Sequence, residues 1–271
     1  MTEQGSVHRP AQRLTARGGE SLDEIVAEER AVALVYNGIS HAVMMATPCD
    51  LEDFARGFSL TERIVEKASE IYDIEVEDVQ VGSGGRGIEV RLRIAAQRMA
   101  GLQERRRSLA GRTGCGLCGV DSLDAALRPV PAAQAMGTVS RSAIERAMAA
   151  LPGLQRINKM NGATHAAGWA LADGTLVLVR EDVGRHNALD KLGGALAVSG
   201  AAGAGGFVVV TSRCSYEMVQ KAAALGAVAI AAVSAPTSLA IETAEQAGIA
   251  LVAFVREGRL TVYANAGRIS S

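Results

Sequence analysis

Two cysteines two residues apart, Cys115 and Cys118, lie in "GRTGCGLCGV" (111–120) among Gly111, Gly114, Gly116 and Gly119. Such a pair can give two ligands to a metal, cycle between dithiol and disulfide, or carry a sulfur atom on one thiol. A closed structural zinc site needs four ligands. No second C-x-x-C or H-x-x-x-H is present, and His41, His165, His186, Cys49 and Cys214 are scattered. A zinc deaminase places H-x-E ahead of P-C-x-x-C. Here His165 follows the pair, and Gly114 stands where the proline would be, so zinc is disfavoured. A thioredoxin-like pair sits between a strand and a long helix. This one follows a helix-forming stretch, and "VDSLDAAL" behind it predicts only a short helix, whose N-terminus would favour a thiolate. Redox chemistry stays open. The glycines predict a mobile, exposed loop, which suits a cysteine that accepts sulfur from one protein and delivers it elsewhere.

A second concentration of chemistry lies near the other end. "REDVGRHNALDKLGG" (180–194) gathers Arg180, Glu181, Asp182, Arg185, His186, Asn187, Asp190 and Lys191 at a strand-to-helix junction, where open α/β sheets bind ligands. A capped helix start would explain any one of them; their density favours a site. "TSRCSYEMVQK" repeats the geometry with Thr211, Ser212, Arg213 and Ser215, and "VSAPTSLAIE" does so with Ser234, Pro236, Thr237 and Ser238. Three successive polar helix starts, two of them rich in hydroxyls, predict a phosphate-bearing, nucleotide-like ligand, with Arg185, His186 and Ser212 among the residues that hold it. "FVREGR" (Phe254, Val255, Arg256, Glu257, Gly258, Arg259) sets two guanidiniums around a glycine. Taken alone, it reads as a hairpin turn.

The elements that position these groups follow from periodicity. "AVALVYNGISHAVMMA" predicts two strands around Asn37-Gly38, because both turn residues tolerate positive φ. "TPCDLEDFARGFSLTERIV" predicts a helix with Asp50 as N-cap and Glu52 and Asp53 at the positive end of its dipole. "YDIEVEDVQV" and "IEVRLRIA" are strands joined by "GSGGRG", and a basic helix leads into the cysteine loop. Between Arg86 and Arg112 stand eight arginines and two glutamates, an excess of six positive charges beside the thiols. That run is either a solvated face or a surface for an anion or partner. From about residue 140, apolar strands alternate with amphipathic helices, which implies a sheet covered on both faces. The expected organisation is a disordered tail (1–20), an N-terminal α+β lobe (21–110), a glycine-rich C-x-x-C loop and connector (111–139) and a C-terminal αβα domain (140–271).

The chain has 271 residues, 48% hydrophobic and 21% charged, with four cysteines. That balance is globular, and the cysteines are too few for a disulfide framework. A formal net charge of −1 and 3% aromatics disfavour a nucleic-acid partner. No signal peptide or membrane-spanning run is predicted, so the expected location is cytoplasmic.

Together "TPCDLEDFARGFSLTE", "GRTGCGLCGV", "NGATHAAGWA", "EDVGRHNALDKLGG", "SYEMVQKAA", "VSAPTSLAIE" and "LVAFVREGR" resemble the FdhD family of sulfur carriers required for formate dehydrogenase activity, in family order across most of the chain. The resemblance implies that sulfane sulfur comes from a cysteine desulfurase as a persulfide. It passes to the molybdenum cofactor, in its bis-molybdopterin guanine dinucleotide form, and the sulfurated cofactor goes to formate dehydrogenase. It implies Cys115 as carrier with Cys118 assisting, cofactor binding at Phe254–Arg259, a homodimer, and a C-terminal domain similar to the cytidine deaminase fold without zinc or any other permanently bound metal. It thus overturns the plain-turn reading of "FVREGR". Asn161, Ala163, Thr211 and Cys214 depart from the family's more usual residues, and Cys214 is an extra thiol. A thiol redox enzyme and a cofactor-binding chaperone with dispensable cysteines are the alternatives.

Overall fold

The computed structural model describes residues 5–82, 84–99, 101–102, 137–201, 205–256 and 258–270. Cys115, Cys118, Glu257 and nearly all of the expected 111–139 loop lie outside the described residues.

The chain opens with a hairpin, β1 (Ser6–Thr15) and β2 (Gly18–Ala27), paired antiparallel over ten residues. This corrects the expected disordered tail at 1–20. The polar composition hid a cross-strand charge pattern: Arg13 pairs with Glu20 and Glu24, and His8 with Asp23. The base of the arm is anchored, because Ser6 is buried and accepts a hydrogen bond from Asn161.

The N-terminal lobe is a four-stranded sheet in the order β4 (Ile39–Ala46), β3 (Arg30–Tyr36), β6 (Gly85–Ile94), β5 (Ile71–Val81), with α1 (Leu51–Thr61) on one face. Asn37 and Gly38 take the positive φ values, 46° and 83°, that the β3–β4 turn requires. Asp50 departs from expectation. It adopts a left-handed conformation, and its side chain makes no capping hydrogen bond. The basic run is also corrected in part. On β6, Arg91 pairs with Glu77 of β5 and with Glu89, and Arg98 pairs with Glu66 and Glu70. Two of its eight arginines are thus answered by nearby acids, while its arginines from Arg105 onward fall outside the described residues.

The C-terminal part begins with a short strand, β7 (Val139–Ser140), paired in parallel with β14 (Ile269–Ser270), then α2 (Arg141–Leu154) and α3 (Arg156–Asn161). A six-stranded sheet runs in the order β13 (Arg259–Ala264), β12 (Ala250–Arg256), β11 (Ala229–Ala232), β10 (Phe207–Val210), β8 (His165–Ala170), β9 (Leu176–Asp182). Helices α4 (Arg185–Ser199), α5 (Tyr216–Ala224) and α6 (Ser238–Ala247) complete it. Val208, Val210 and Ile230 point into the cluster shared with α4–α6, and Phe207, Val209 and Ala231 into the cluster shared with α2. The strands are buried on both faces, as their unbroken apolar runs require.

Helix α4 carries the joint between the two parts, and it is buried from Asn187 to Leu196. The sheet lies under it and α1 over it. The α1–α4 crossing is so close that a Cβ on Gly57 would stand 1.7 Å from the Asp190 carbonyl oxygen, and one on Gly194 1.9 Å from that of Asp53. Three ion pairs flank it. Arg180 meets Asp53 at 2.7 Å. Lys221 meets Asp190 at 2.9 Å and Glu62 at 2.9 Å, with Thr61 donating to Asp190 at 2.6 Å. Burial pulls the Lys221 ammonium down, but Asp190 and Glu62 outweigh it and hold the group above its ordinary range. The third pair, Lys191 to Asp182 at 2.7 Å, is wholly buried. Lys191 also donates to the Thr47 carbonyl at 2.9 Å, and Asp182 accepts from the Thr47 amide at 3.0 Å. Removing one member of a buried pair strands the other charge, which costs about 3–5 kcal/mol. Lys191→Met should therefore lower the denaturation midpoint sharply, and adding Asp182→Asn should recover part of the loss. Urea titration of the two variants checks both.

Candidate functional site

Because β10, β11 and β12 run parallel, their C-terminal ends share one edge of the sheet. The antiparallel partners bring the start of β8 and the end of β9 to that same edge. One line of turns thus contains His165, the 182–186 turn, Thr211–Ser215, Ser234–Thr237 and the β12–β13 hairpin. Strand spacing makes the line from β9 to β12 about 19 Å long. The hairpin projects past it, since β12 continues three residues beyond Ala253, which adjoins the last β11-paired residue, Val252.

The turns are fixed to one another. Thr211 donates its amide to the Ala166 carbonyl, and its hydroxyl accepts from the Ala166 amide at 2.9 Å. Cys214 and Pro236 form a parallel bridge, and the Cys214 carbonyl receives the Thr237 amide. The Thr237 hydroxyl caps α6 by accepting from Ala240 at 3.3 Å, as the hydroxyl-rich start predicted. Ser212 is buried and its hydroxyl donates to the Arg213 carbonyl at 2.8 Å, so it braces its own turn.

The polar cluster of residues 180–191 divides into two roles, which corrects its reading as one site. Arg180, Asp182, Asp190 and Lys191 are spent on the joint. Glu181 is buried too, accepting from the amides of Ile157 and Asn158 and the hydroxyl of Thr164. Local density could not separate these roles, because the partners Thr47, Asp53 and Thr61 lie more than 100 residues away. Arg185 and His186 remain at the edge. The Arg185 Nε is buried without a hydrogen-bond partner among the described residues. An unmatched buried donor is costly and suits a site completed by a ligand. His165 stands close by. Burial pushes its imidazole below the ordinary range, and the Arg185 charge pushes it the same way. His186 Nε2 lies 2.9 Å from Glu217 and 3.4 Å from the Ser215 hydroxyl. The sequence reading missed Glu217. Its signal was an acid in the first turn of α5, directly after a hydroxyl-rich start.

At the far end of the line, Phe254 has φ 53° within β12, at a register shift between Ala253 and Arg256. A bulky residue there is an outlier that costs on the order of 1–3 kcal/mol and clusters at functional sites. The bulge leaves Phe254 exposed, whereas Val255 is buried in the core shared with α2. Gly258 turns the hairpin at φ 71°, and its carbonyl receives the Arg141 guanidinium at 2.6 Å. Arg256 and Arg259 face each other across this turn and are exposed. The structure thus gathers Arg185, His186, Ser212, Phe254, Arg256 and Arg259 along one edge. A separate cavity of about 590 Å3 lies on the β9 flank, lined by Cys49, Leu154, Ile157, Met160, Leu178 and Arg180 among others. Asp50, Arg156 and Glu181 line it as well, and it lies beside β9 rather than among the strand-end turns.

Burial disfavours the thiolate of both described cysteines. Cys214 is fully buried, and burial pushes its thiol up to about 12. Burial also raises Cys49, against the pull of Lys191, whose ammonium is 3.8 Å from the sulfur. Among the described residues, no three His, Cys, Asp or Glu side chains group to hold a metal ion, and no helix is long and apolar enough to cross a membrane.

The FdhD/NarQ family signature matches residues 27–270. A sulfur carrier protein FdhD of Cupriavidus necator is 57% identical over 244 residues, 90% of this chain and 83% of that protein. Its counterpart in Chromobacterium violaceum is 53% identical over 88% of this chain and 87% of its own. A crystal structure from Desulfotalea psychrophila, assigned as a formate dehydrogenase accessory protein, superposes with a TM-score of 0.72 at 25% identity, covering 98% of this chain and 99% of that one.

Proposed function

The chain belongs to the FdhD/NarQ family, and from that premise we propose that it is a sulfur carrier that loads the molybdenum cofactor for formate dehydrogenase. The donor is the persulfide of a cysteine desulfurase. The acceptor is the cofactor's bis-guanine-dinucleotide form, bound as substrate with its nucleotide along the strand-end edge. Cys115 is the carrier, Cys118 its partner. The observation that carries this assignment is the state of the other two thiols. Sulfur transfer needs a thiolate, and burial holds Cys49 and Cys214 in their neutral forms.

The chemistry balances with two cysteines. The Cys115 thiolate attacks the outer sulfur of the donor persulfide; that S–S bond breaks, and the donor leaves as a thiolate. To deliver sulfide, two electrons must be added to the carried sulfur. The Cys118 thiolate supplies them by attacking the inner sulfur, which forms a Cys115–Cys118 disulfide and releases hydrosulfide toward the metal. A cellular thiol reductant then reopens the disulfide. Free Cys49 and Cys214 suit the reducing cytoplasm this requires.

Incubation with a cysteine desulfurase and cysteine, followed by intact-protein mass spectrometry, tests the reading. The expected result is a gain of one sulfur atom, reversed by a reductant. Because sulfide release leaves the same disulfide, Cys118→Ala decides: no sulfur gain there, with a loss of two hydrogens in the parent, would assign the pair to redox catalysis instead, and an unchanged mass in both would leave a cofactor-binding chaperone.

A further inference from the structure

Glu217 holds His186 by a single ring nitrogen. Its carboxylate lies 2.9 Å from Nε2, and the Ser215 hydroxyl, 3.4 Å away, backs the same atom. The hydrogen bond from His186 holds the Glu217 carboxyl below its usual range against partial burial, with the charges of His186, Lys221 and Arg185 adding to the effect in that order. An ionised carboxylate can only accept, so the nitrogen that faces it carries the hydrogen. Among the described residues, no hydrogen bond engages the other nitrogen, Nδ1. Next along the chain, the Arg185 Nε is a buried donor with no partner among the described residues.

We propose that Glu217 is a positioning residue: it locks His186 with its hydrogen on Nε2 and so presents Nδ1 as an acceptor to a hydroxyl or N–H group of a bound nucleotide. This rests on the reading of the strand-end edge as a nucleotide site. The pairing of an acceptor at His186 with a waiting donor at Arg185 selects the ligand class. The dianion of a simple phosphate ester offers acceptors only and would satisfy Arg185 alone. A nucleotide brings both kinds, phosphate oxygens for Arg185 and ribose or base donors for Nδ1. Fixing the imidazole through its second nitrogen is how proteins commonly set which ring atom meets a ligand.

The test uses the full chain, with guanosine diphosphate and inorganic pyrophosphate as probes. Calorimetric titrations compare wild type, Glu217→Gln and Glu217→Ala, and the ring 15N shifts of His186 report the tautomer in each. Glutamine keeps an oxygen that accepts from Nε2; alanine does not. The expected result is an Nε2–H ring in wild type and Glu217→Gln, with a mixture of tautomers in Glu217→Ala. Guanosine diphosphate affinity should fall about tenfold in Glu217→Ala, the effect of one lost hydrogen bond, and stay within about twofold in Glu217→Gln. Pyrophosphate affinity should be equal in all three. An Nδ1–H ring in wild type, or a Glu217→Ala protein with undiminished nucleotide affinity, would overturn the assignment. A locked ring in a wild-type protein that binds no guanosine diphosphate would instead overturn the nucleotide reading of the edge and leave Glu217's hold on the ring standing.

Discussion

Cys115→Ala folds like the parent, takes up no sulfur from a desulfurase, and leaves formate dehydrogenase inactive. The expected loss is complete, because no other described thiol can substitute. Cys214 has no exposed surface, and Cys49 is only 9% exposed, at the wall of the cavity beside β9. A thiol pushed up to about 12 is ionised to about one part in 100,000 at neutral pH, since each pH unit below the pKa costs a factor of ten. Cys118→Ala separates loading from delivery. It should still gain the sulfur mass, because loading needs only the Cys115 thiolate, but it should release little sulfide, because the two electrons are no longer at hand. Mass spectrometry follows the loading, and formate oxidation in cells lacking the native carrier follows the delivery. Full activity in Cys115→Ala cells would refute the carrier assignment.

Gly57→Ala is expected to be the most damaging single methyl in the described structure. The added carbon would lie 1.7 Å from the Asp190 carbonyl oxygen and 2.7 Å from the Gly194 nitrogen. Both are backbone atoms of a buried helix, so no side chain can swing away. The helices must part by more than an ångström, and the three flanking ion pairs resist this. Overpacking of a core usually costs about 1–3 kcal/mol; a backbone collision at a pinned crossing lies at or beyond the upper end. Gly194→Ala should do the same from the other side. Gly153→Ala is the control, because a Cβ there meets nothing within 4 Å. It should be neutral or slightly stabilising, through lower entropy of the unfolded chain. Thermal denaturation of the three proteins gives the comparison, and a Gly57→Ala protein as stable as Gly153→Ala would disprove the tight crossing.

Local features of the fold were legible where their cause was local. The Asn37-Gly38 turn declared itself because two adjacent residues must take positive φ. The apolar strands beyond residue 140 were legible because a strand covered on both faces cannot alternate. What stayed hidden has distant causes. Lys191 and Asp182 looked like site residues, and only the arrival of Thr47 from the N-terminal lobe makes their burial tolerable. The β1–β2 arm looked like a tail, since its polar residues satisfy each other only once the register is known. Arg91 looked like part of a basic surface until Glu77 appeared across the sheet. The candidate site was legible in its parts: Arg185, His186 and the Phe254–Arg259 turn were flagged, and the sheet topology puts them on one edge. Glu217 was not, because a glutamate in a helix's first turn has an ordinary explanation there.

The α1–α4 joint also bears on how these proteins can be altered or can diverge. Neither part is an interchangeable module. Residues 47–62 and 180–194 meet glycine to glycine and charge to charge, so each segment is a mould of the other. A lobe transplanted from a relative would carry half of a joint cut to a different partner. The two segments must therefore be inherited, or exchanged, as a matched set, although more than 100 residues of chain separate them.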